Sequence, residues 1–326
     1  IFPRCAIDGA QSITNGNGAR APSRAEDRDP SIAPERRKMG AAMLRQVQKL
    51  MSEPGFKEAP LTVLARVARL ALAVPLKNLP PFELVPGGPK VKVPPDLRYT
   101  TLTTFLLRDT FEPELRYIQN FVGKGDVFID VGANIGLFTI KVAGQAARVV
   151  AVEPGTDARG QLEANIALNG FTNVTVVPKA LSDTEGTAVL HHNPVGDDPQ
   201  AFSLIDDGNH GGGEEVQLTT LDAVVRSLGL TRVDCIKMDV EGAEDMVLAG
   251  GQETLNTYHP VVIFEMNCPT LFKAGGNPEA SWNALKALGY TFFEMRDDGG
   301  LTALAERPTG WCNIVAQHPE GRVRAS

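Results

Sequence analysis

From about Asp96 onward the chain alternates short apolar runs with amphipathic stretches, and this alternation restricts its fold more than any other feature. The runs are Val127 to Val131, Val149 to Val152, Val174 to Val177, Val233 to Met238 and Val261 to Glu265. Helix-like stretches separate them: Leu137 to Ala146, Asp157 to Asn169, Leu221 to Leu228, Ala243 to Ala249 and Ser281 to Leu288. Runs rich in Val and Ile, without polar alternation, suit strands buried on both faces. The pattern predicts an α/β fold with a doubly wound, mostly parallel, seven-stranded Rossmann-like sheet. Glu112 to Val122 reads as a helix leading into it. Tyr290 to Met295 and Trp311 to Ala316 read as a closing antiparallel hairpin at the sheet edge, joined by a loop containing Gly and Asp.

The chain divides, on this reading, into an N-terminal extension over 1–95 and the α/β domain over 96–320. Gln11 to Pro34 is rich in Gly, Ala, Ser, Asn, Pro and charge, and is expected to be disordered because it has too little apolar area to offset its ordering entropy. Pro34 to Ser52 has helical spacing at Met39, Met43, Leu44, Val47 and Leu50. Leu61 to Leu76 reads as an amphipathic helix, with Leu61, Leu64, Ala68 and Leu72 on one face and Arg66 and Arg69 on another. The expectation is that its apolar face packs on the main domain; peripheral contact with a membrane surface or a partner is the less favoured reading. Seven prolines between Pro75 and Pro95 exclude helix there and suggest an extended connection, with a short hairpin over Phe82–Val85 and Val91–Val93 turned at Gly87 and Gly88.

Composition removes several classes. At 326 residues with 43% hydrophobic and 22% charged, the chain is neither wholly disordered nor collagen-like, and is long enough for a large core. The net charge is −7. Residues 1–60 hold ten basic and seven acidic residues, a net of +3, so the remainder stands at −10. That balance argues against nucleic acid as the main partner. Cys5, Cys235, Cys268 and Cys312 are far apart and lack zinc-ligand spacing, which fits reduced thiols in a cytoplasmic protein. No run of about 20 apolar residues is present, and the first twenty residues contain no signal-peptide core. Oligomeric state is not encoded in any of these features.

The stretch Asp130-Val-Gly-Ala-Asn-Ile-Gly136 carries the chemistry. A buried strand ends in an acid, and glycines follow two and six positions on. Gly132 permits a sharp turn and close backbone approach to a ligand; Gly136 lets the next helix pack near the strand. The first glycine of a dinucleotide motif is here Asp130, whose carboxylate repels phosphate and suits an ammonium group. The second strand ends at Glu153-Pro154, 23 residues past Asp130, where an acid can grip ribose hydroxyls. A ribose and an ammonium without a diphosphate point to S-adenosylmethionine (SAM).

The sequence resembles the FkbM family of SAM-dependent methyltransferases. The resemblance spans roughly residues 100–270 and is carried by Asp130 to Gly136, Val152-Glu-Pro154, Ala180-Leu-Ser-Asp183, Thr219-Thr-Leu-Asp222 and Lys237-Met-Asp-Val-Glu-Gly-Ala-Glu244, with Glu265 ending the next strand and Arg108 to Glu112 as lead-in. It implies a class I methyltransferase fold that methylates hydroxyl oxygens, typically of sugars, polysaccharide-linked groups or secondary metabolites. Asp130, Gly132, Ala133 and Asn134 would hold the methionine side, with Gly136 completing the turn and Glu153 the ribose. Asn134 reads equally as a helix cap. Ala180 and Leu181 would lie against the adenine, and Ser182 or Asp183 would meet its amine. Asp239 and Glu241, two apart in an extended stretch, point the same way. They would hold the SAM ammonium, take the acceptor's proton or cap the following helix, with Glu265, His191 and His192 as alternative bases. A divalent metal at these acids is conceivable but not indicated. The insert His191 to Gly213 is expected to lie over the acceptor. Two further readings stand beside O-methylation: a SAM-binding assembly module without transfer activity, and an N-methyltransferase of a protein or small molecule.

Overall fold

The computed structural model describes residues 51, 53–73, 76, 79–94, 99–192, 202–203, 213–240, 242–267, 277 and 279–321. The stretches expected to be disordered (Gln11 to Pro34) and helical (Pro34 to Ser52, save Met51) lie outside them, as does most of the insert His191 to Gly213.

Fourteen strands are described. Phe82–Glu83 (β1) and Lys90–Val91 (β2) pair antiparallel as the expected hairpin. Val127–Val131 (β3), Arg148–Val152 (β4) and Val174–Val177 (β5) follow, then Ala180–Leu181 (β6), Gly186–His192 (β7), Phe202–Ser203 (β8) and Gly213–Thr219 (β9). Cys235–Met238 (β10), Val261–Asn267 (β11), Thr291–Met295 (β12), Leu301–Leu304 (β13) and Trp311–Gln317 (β14) complete the set. The main sheet has the order β13-β12-β14-β11-β10-β3-β4-β5. Its five-strand heart, β11-β10-β3-β4-β5, is parallel; the β14, β12 and β13 pairings are antiparallel.

The class is the expected one, a doubly wound and mostly parallel α/β sheet, but it holds eight strands rather than seven. The eighth, β13, occupies the stretch expected to be a loop. Its burial pattern is half-open throughout, as an edge strand allows, so no continuous apolar run announces it. The closing strands are also not a simple hairpin. β14 inserts between β11 and β12, because Ile314, Val315 and Ala316 are fully buried and need cover on both sides. A second sheet, ordered β6-β9-β7-β8, stands apart. Helices over Tyr99–Leu107 and Gln252–Tyr258 also lack a counterpart in the sequence reading.

One face of the sheet buries Phe128, Val149, Cys235, Ile263 and Val315 beneath Phe138 and Ile140 of the helix Leu137–Ala143. The other buries Val127, Ile129, Val131, Ile236, Met238 and Val262 beneath the helices Leu221–Ser227, Glu244–Ala249, Gln252–Tyr258 and Ala280–Ala287. Packing does not break at residue 95. Val63, Leu70, Leu79, Phe82, Leu84, Val91 and Val93 belong to the same apolar cluster as Phe105 and Phe128, and the backbone amides of Lys90 and Lys92 donate to Asn169 and Asn165. The stretch over 60–93 therefore completes the cover of the sheet, and the compact unit starts at Leu50. The helix Pro60–Ala73 packs through Val63, Leu70 and Ala73; the expected face, with Leu61, Leu64 and Leu72, is exposed. Spacing identified a helix with an apolar stripe, but the buried stripe is the one sharing its side with Arg66, whose guanidinium donates to the Leu106 carbonyl at 2.7 Å. Cys235 and Cys312 are buried free thiols.

Replacing Leu84, fully buried, with Ala should cost about 2–5 kcal/mol in urea unfolding, whereas Leu61→Ser should stay within about 0.5 kcal/mol. Equal effects would show that the stretch before residue 96 is not part of the core.

Candidate active site

Winding reverses between β3 and β10: β4 and β5 run out on one side, β10 and β11 on the other. Ligands of open α/β sheets bind beyond the strand tips at such a point. Three acids stand there on adjacent tips: Glu153 after β4, Asp130 in β3 and Asp239 after β10.

Gly132 makes this junction. Its φ is +75°, and a Cβ there would sit 2.0 Å from the Asp239 carbonyl oxygen. The close approach expected of this glycine is thus to the neighbouring strand tip. The amides of Gly132 and Ala133 both donate to the Val152 carbonyl at 3.0 Å, and that of Asp239 donates to Val131 at 3.0 Å. Gly136, φ +89°, lies against Leu162 of the helix Thr156–Asn169, so it spaces helix from helix rather than helix from strand. Gly136 is also the N-cap of the next helix, the position the sequence left open to Asn134. Asn134 instead adopts φ +49°, and its amide donates to Glu153 at 2.8 Å.

Asp130 is fully buried. Its Oδ2 accepts from the amide (3.0 Å) and hydroxyl (2.7 Å) of Thr139. Oδ1 has no hydrogen-bond partner, and neither has Asn134 Oδ1. Burial raises the Asp130 carboxyl above its ordinary range, opposed by Lys237 and the Thr139 bonds. Glu153 accepts from the amides of Asn134 and Gly155, each at 2.8 Å, and burial lifts its carboxyl to about 7 despite them.

Lys237 is the register partner of Asp130 on β10 and is buried. Its Nζ donates to Asp239 Oδ2 at 3.0 Å and lies 4.3 Å from the Phe138 ring centre. Burial would depress this ammonium, but Asp239, Asp130 and Glu112 outweigh it and hold it protonated. A cleft opens beside it, lined by Glu112, Glu114, Phe138, Asp239, Glu265 and Asn313 among others. Glu265 and Asn313 face each other across the β11–β14 pair. Burial raises Glu112 well above the usual range and Glu114 to about 7; Glu114 Oε2 is buried with no partner. Glu244, also buried, accepts from the Gly242 amide and is raised to about 7.

The structure therefore gathers Asp130, Asn134, Glu153, Asp239 and Glu265 at the strand tips. Glu241 lies outside the described residues. His191 stands in β7 opposite Gly213 and does not line the cleft; the side chain of His192 is not among those described. Ser182 is buried and its hydroxyl donates to exposed Asp183 at 3.1 Å. Ala180 and Leu181 cannot share one adenine face. Ala180 packs with Leu190 and Val216 of the second sheet, Leu181 with the main core, as strand alternation requires. Glu112, Glu114 and Asn313 were not read from the sequence as site residues; an acid pair flanking Pro113 gives no signal without the fold. Among the described residues, one group of three has ligand atoms close enough for a metal, His259, His318 and Glu320, and none of these lines the cleft.

These features define the class I methyltransferase architecture. A family model, the methyltransferase FkbM domain, matches residues 130–292, and the chain belongs to that family. AmbE of Pseudomonas aeruginosa, an AMB antimetabolite synthetase, is 28% identical over 266 residues, covering 68% of this chain but only 12% of that protein. Methyltransferase sdnD of Sordaria araneosa is 29% identical over 181 residues, covering 46% of this chain and 69% of sdnD. The solved methyltransferase FkbM of Methylobacillus flagellatus aligns with a TM-score of 0.40 at 15% identity, covering 68% of this chain and 53% of that one.

Glu114, Glu153 and Glu244 each titrate near 7 when folded against about 4.5 when unfolded. The folded chain binds protons more tightly, so stability falls as pH rises between these values and levels off above them. The melting temperature should drop by several degrees across that window, at about 2–4 °C per kcal/mol, and Glu244→Gln should flatten the drop. A melting temperature that rises across the window would contradict the assignment.

Proposed function

We propose that this chain transfers a methyl group from SAM to a hydroxyl oxygen of a sugar, a polysaccharide-linked group or a secondary metabolite. The observation that carries this reading is the row of Glu153, Asp130 and Asp239 on three adjacent strand tips where the winding reverses. The residues fit the cofactor. Asp130 Oδ1 and Asn134 Oδ1 are buried acceptors in need of donors, which an amino-acid ammonium supplies. Each Glu153 oxygen takes one backbone N–H and keeps a second lone pair for a ribose hydroxyl. Ser182 or Asp183, after β6, would meet the adenine amine.

When bound, SAM supplies a methyl carbon activated by a sulfonium. The chain's task is then alignment and removal of one proton. Asp239 is half-exposed and held by Lys237, which suits it to fixing an ammonium or an acceptor hydroxyl in place. Glu114, buried in the cleft with an unpartnered oxygen and a carboxyl at about 7, is matched to take the hydroxyl proton near neutral pH. With Glu112, Glu114, Asp239 and Glu265 around a single lysine, the cleft favours neutral or cationic acceptors over phosphates and carboxylates. The similarity to AmbE, an antimetabolite synthetase of which this chain matches 12%, supports the secondary-metabolite part of the reading.

Asp130→Ala and Glu153→Ala should each weaken SAM binding by about tenfold or more in calorimetry, the loss of one charged hydrogen bond; wild-type affinity in both variants refutes the cofactor assignment. Glu114→Gln should leave SAM affinity intact and lower turnover about 100-fold or more, removing the rate rise between pH 6 and 8. An unchanged pH profile would return the role of base to Asp239 or Glu265.

A further inference from the structure

The helix Pro60–Ala73 is apolar on two sides, and the protein covers one. Val63, Leu70 and Ala73 are buried. On the opposite side Leu61 is 81% exposed, Leu64 53% and Leu72 72%, with Val67 at the margin. Ala65, Ala68 and Ala71 are exposed between them, so no polar side chain interrupts the centre of this face. Met51 and Leu76, before and after the helix in sequence, are exposed as well. Six of the eight large exposed hydrophobics among the described residues thus fall between 51 and 76. A helix whose outward face meets water is normally polar there, and an apolar patch this concentrated marks a contact surface.

Along this stretch of sequence the charge is of one sign. From Ala59 through Phe82 there are three basic residues, Arg66, Arg69 and Lys77, and no Asp or Glu. Arg69 is exposed beside the leucines. Arg108, stacked 3.7 Å over Phe82, is close enough to Arg66 and Arg69 that, after burial, their charges depress its guanidinium to about 9. Arg69 therefore borders the apolar face, whereas Arg66 and Arg108 turn inward and donate to the carbonyls of Leu106 and of Thr104 and Phe105. The whole sequence repeats the bias: residues 1–82 carry 13 basic and 7 acidic residues, a net of +6, while the other 244 stand at −13.

We propose that the outer face of the helix Pro60–Ala73 rests on an anionic lipid bilayer, its leucines in the acyl boundary and Arg69 against the headgroups. No described helix is long and apolar enough to cross a membrane, and this contact needs none to. Buried apolar area and attraction to anionic lipid together set the strength of such interfacial binding. Each basic residue near the surface adds about 1 kcal/mol. A nucleic acid would satisfy the arginines but leave the leucines in water.

Co-sedimentation of the full chain with vesicles tests this, using phosphatidylcholine alone and phosphatidylcholine with about a third phosphatidylglycerol. The chain should pellet with the anionic vesicles, pellet about tenfold less with neutral ones, and be released by high salt. The triple variant Leu61→Ser, Leu64→Ser, Leu72→Ser should lose about tenfold or more of the binding, with an unchanged melting temperature because these side chains are exposed. Arg69→Glu should weaken binding selectively to the anionic vesicles. Wild-type chain that stays in the supernatant with anionic vesicles overturns the proposal, as does a triple variant that pellets like the wild type. Light scattering that shows a wild-type dimer split by the triple variant, with no vesicle binding, would make the face a contact between copies and also overturn it.

Discussion

The backbone at Gly132 passes so close to the Asp239 carbonyl that no side chain can stand between them. That contact fastens the turn after β3 to the tip of β10 and fixes where the acids of the site meet. Asp239 N–H reaches back to Val131, and the amides of Gly132 and Ala133 reach across to Val152 on β4. Three strand tips are joined by backbone alone, so the carboxylates they carry are set by the sheet rather than by flexible loops.

Electrostatics explains why so many acids can share this place. Lys237 enters from β10 beside Asp130 and lies under Phe138, with Asp239 on its ammonium. One buried cation offsets part of the repulsion among Asp130, Glu112, Glu114 and Asp239. Burial then acts unevenly. Half-exposed Asp239 keeps contact with water, whereas Glu114 and Glu153 sit deep enough that their carboxyls rise to about 7. Burial thereby brings two ordinary carboxyls into the neutral range.

Much of this was legible in the sequence, for identifiable reasons. Parallel strands buried on both faces read as unbroken Val and Ile, so β3, β4, β5, β10 and β11 were found, and Asp130 and Glu153 follow from counting past the first of them. The two-residue strands β6 and β8 are too short for such a run and β13 is half-open throughout, so these three were missed. Glu112 and Glu114 were missed as site residues because only the tertiary fold brings the chain before β3 over the tip of β10. In the helix Pro60–Ala73 periodicity showed an apolar stripe but could not show which of two the core would take; the buried one includes Arg66, whose hydrogen bond to Leu106 makes a charged position compatible with the interior.

The central claim is that the tips of β4, β3 and β10 form one binding site for a sulfonium nucleoside. A crystal structure of the chain soaked with S-adenosylhomocysteine examines it most directly. The account predicts the ribose hydroxyls on Glu153 and the amino group among Asp130, Asn134 and Asp239. Density for the nucleoside anywhere else, or a ribose turned away from Glu153, would contradict it.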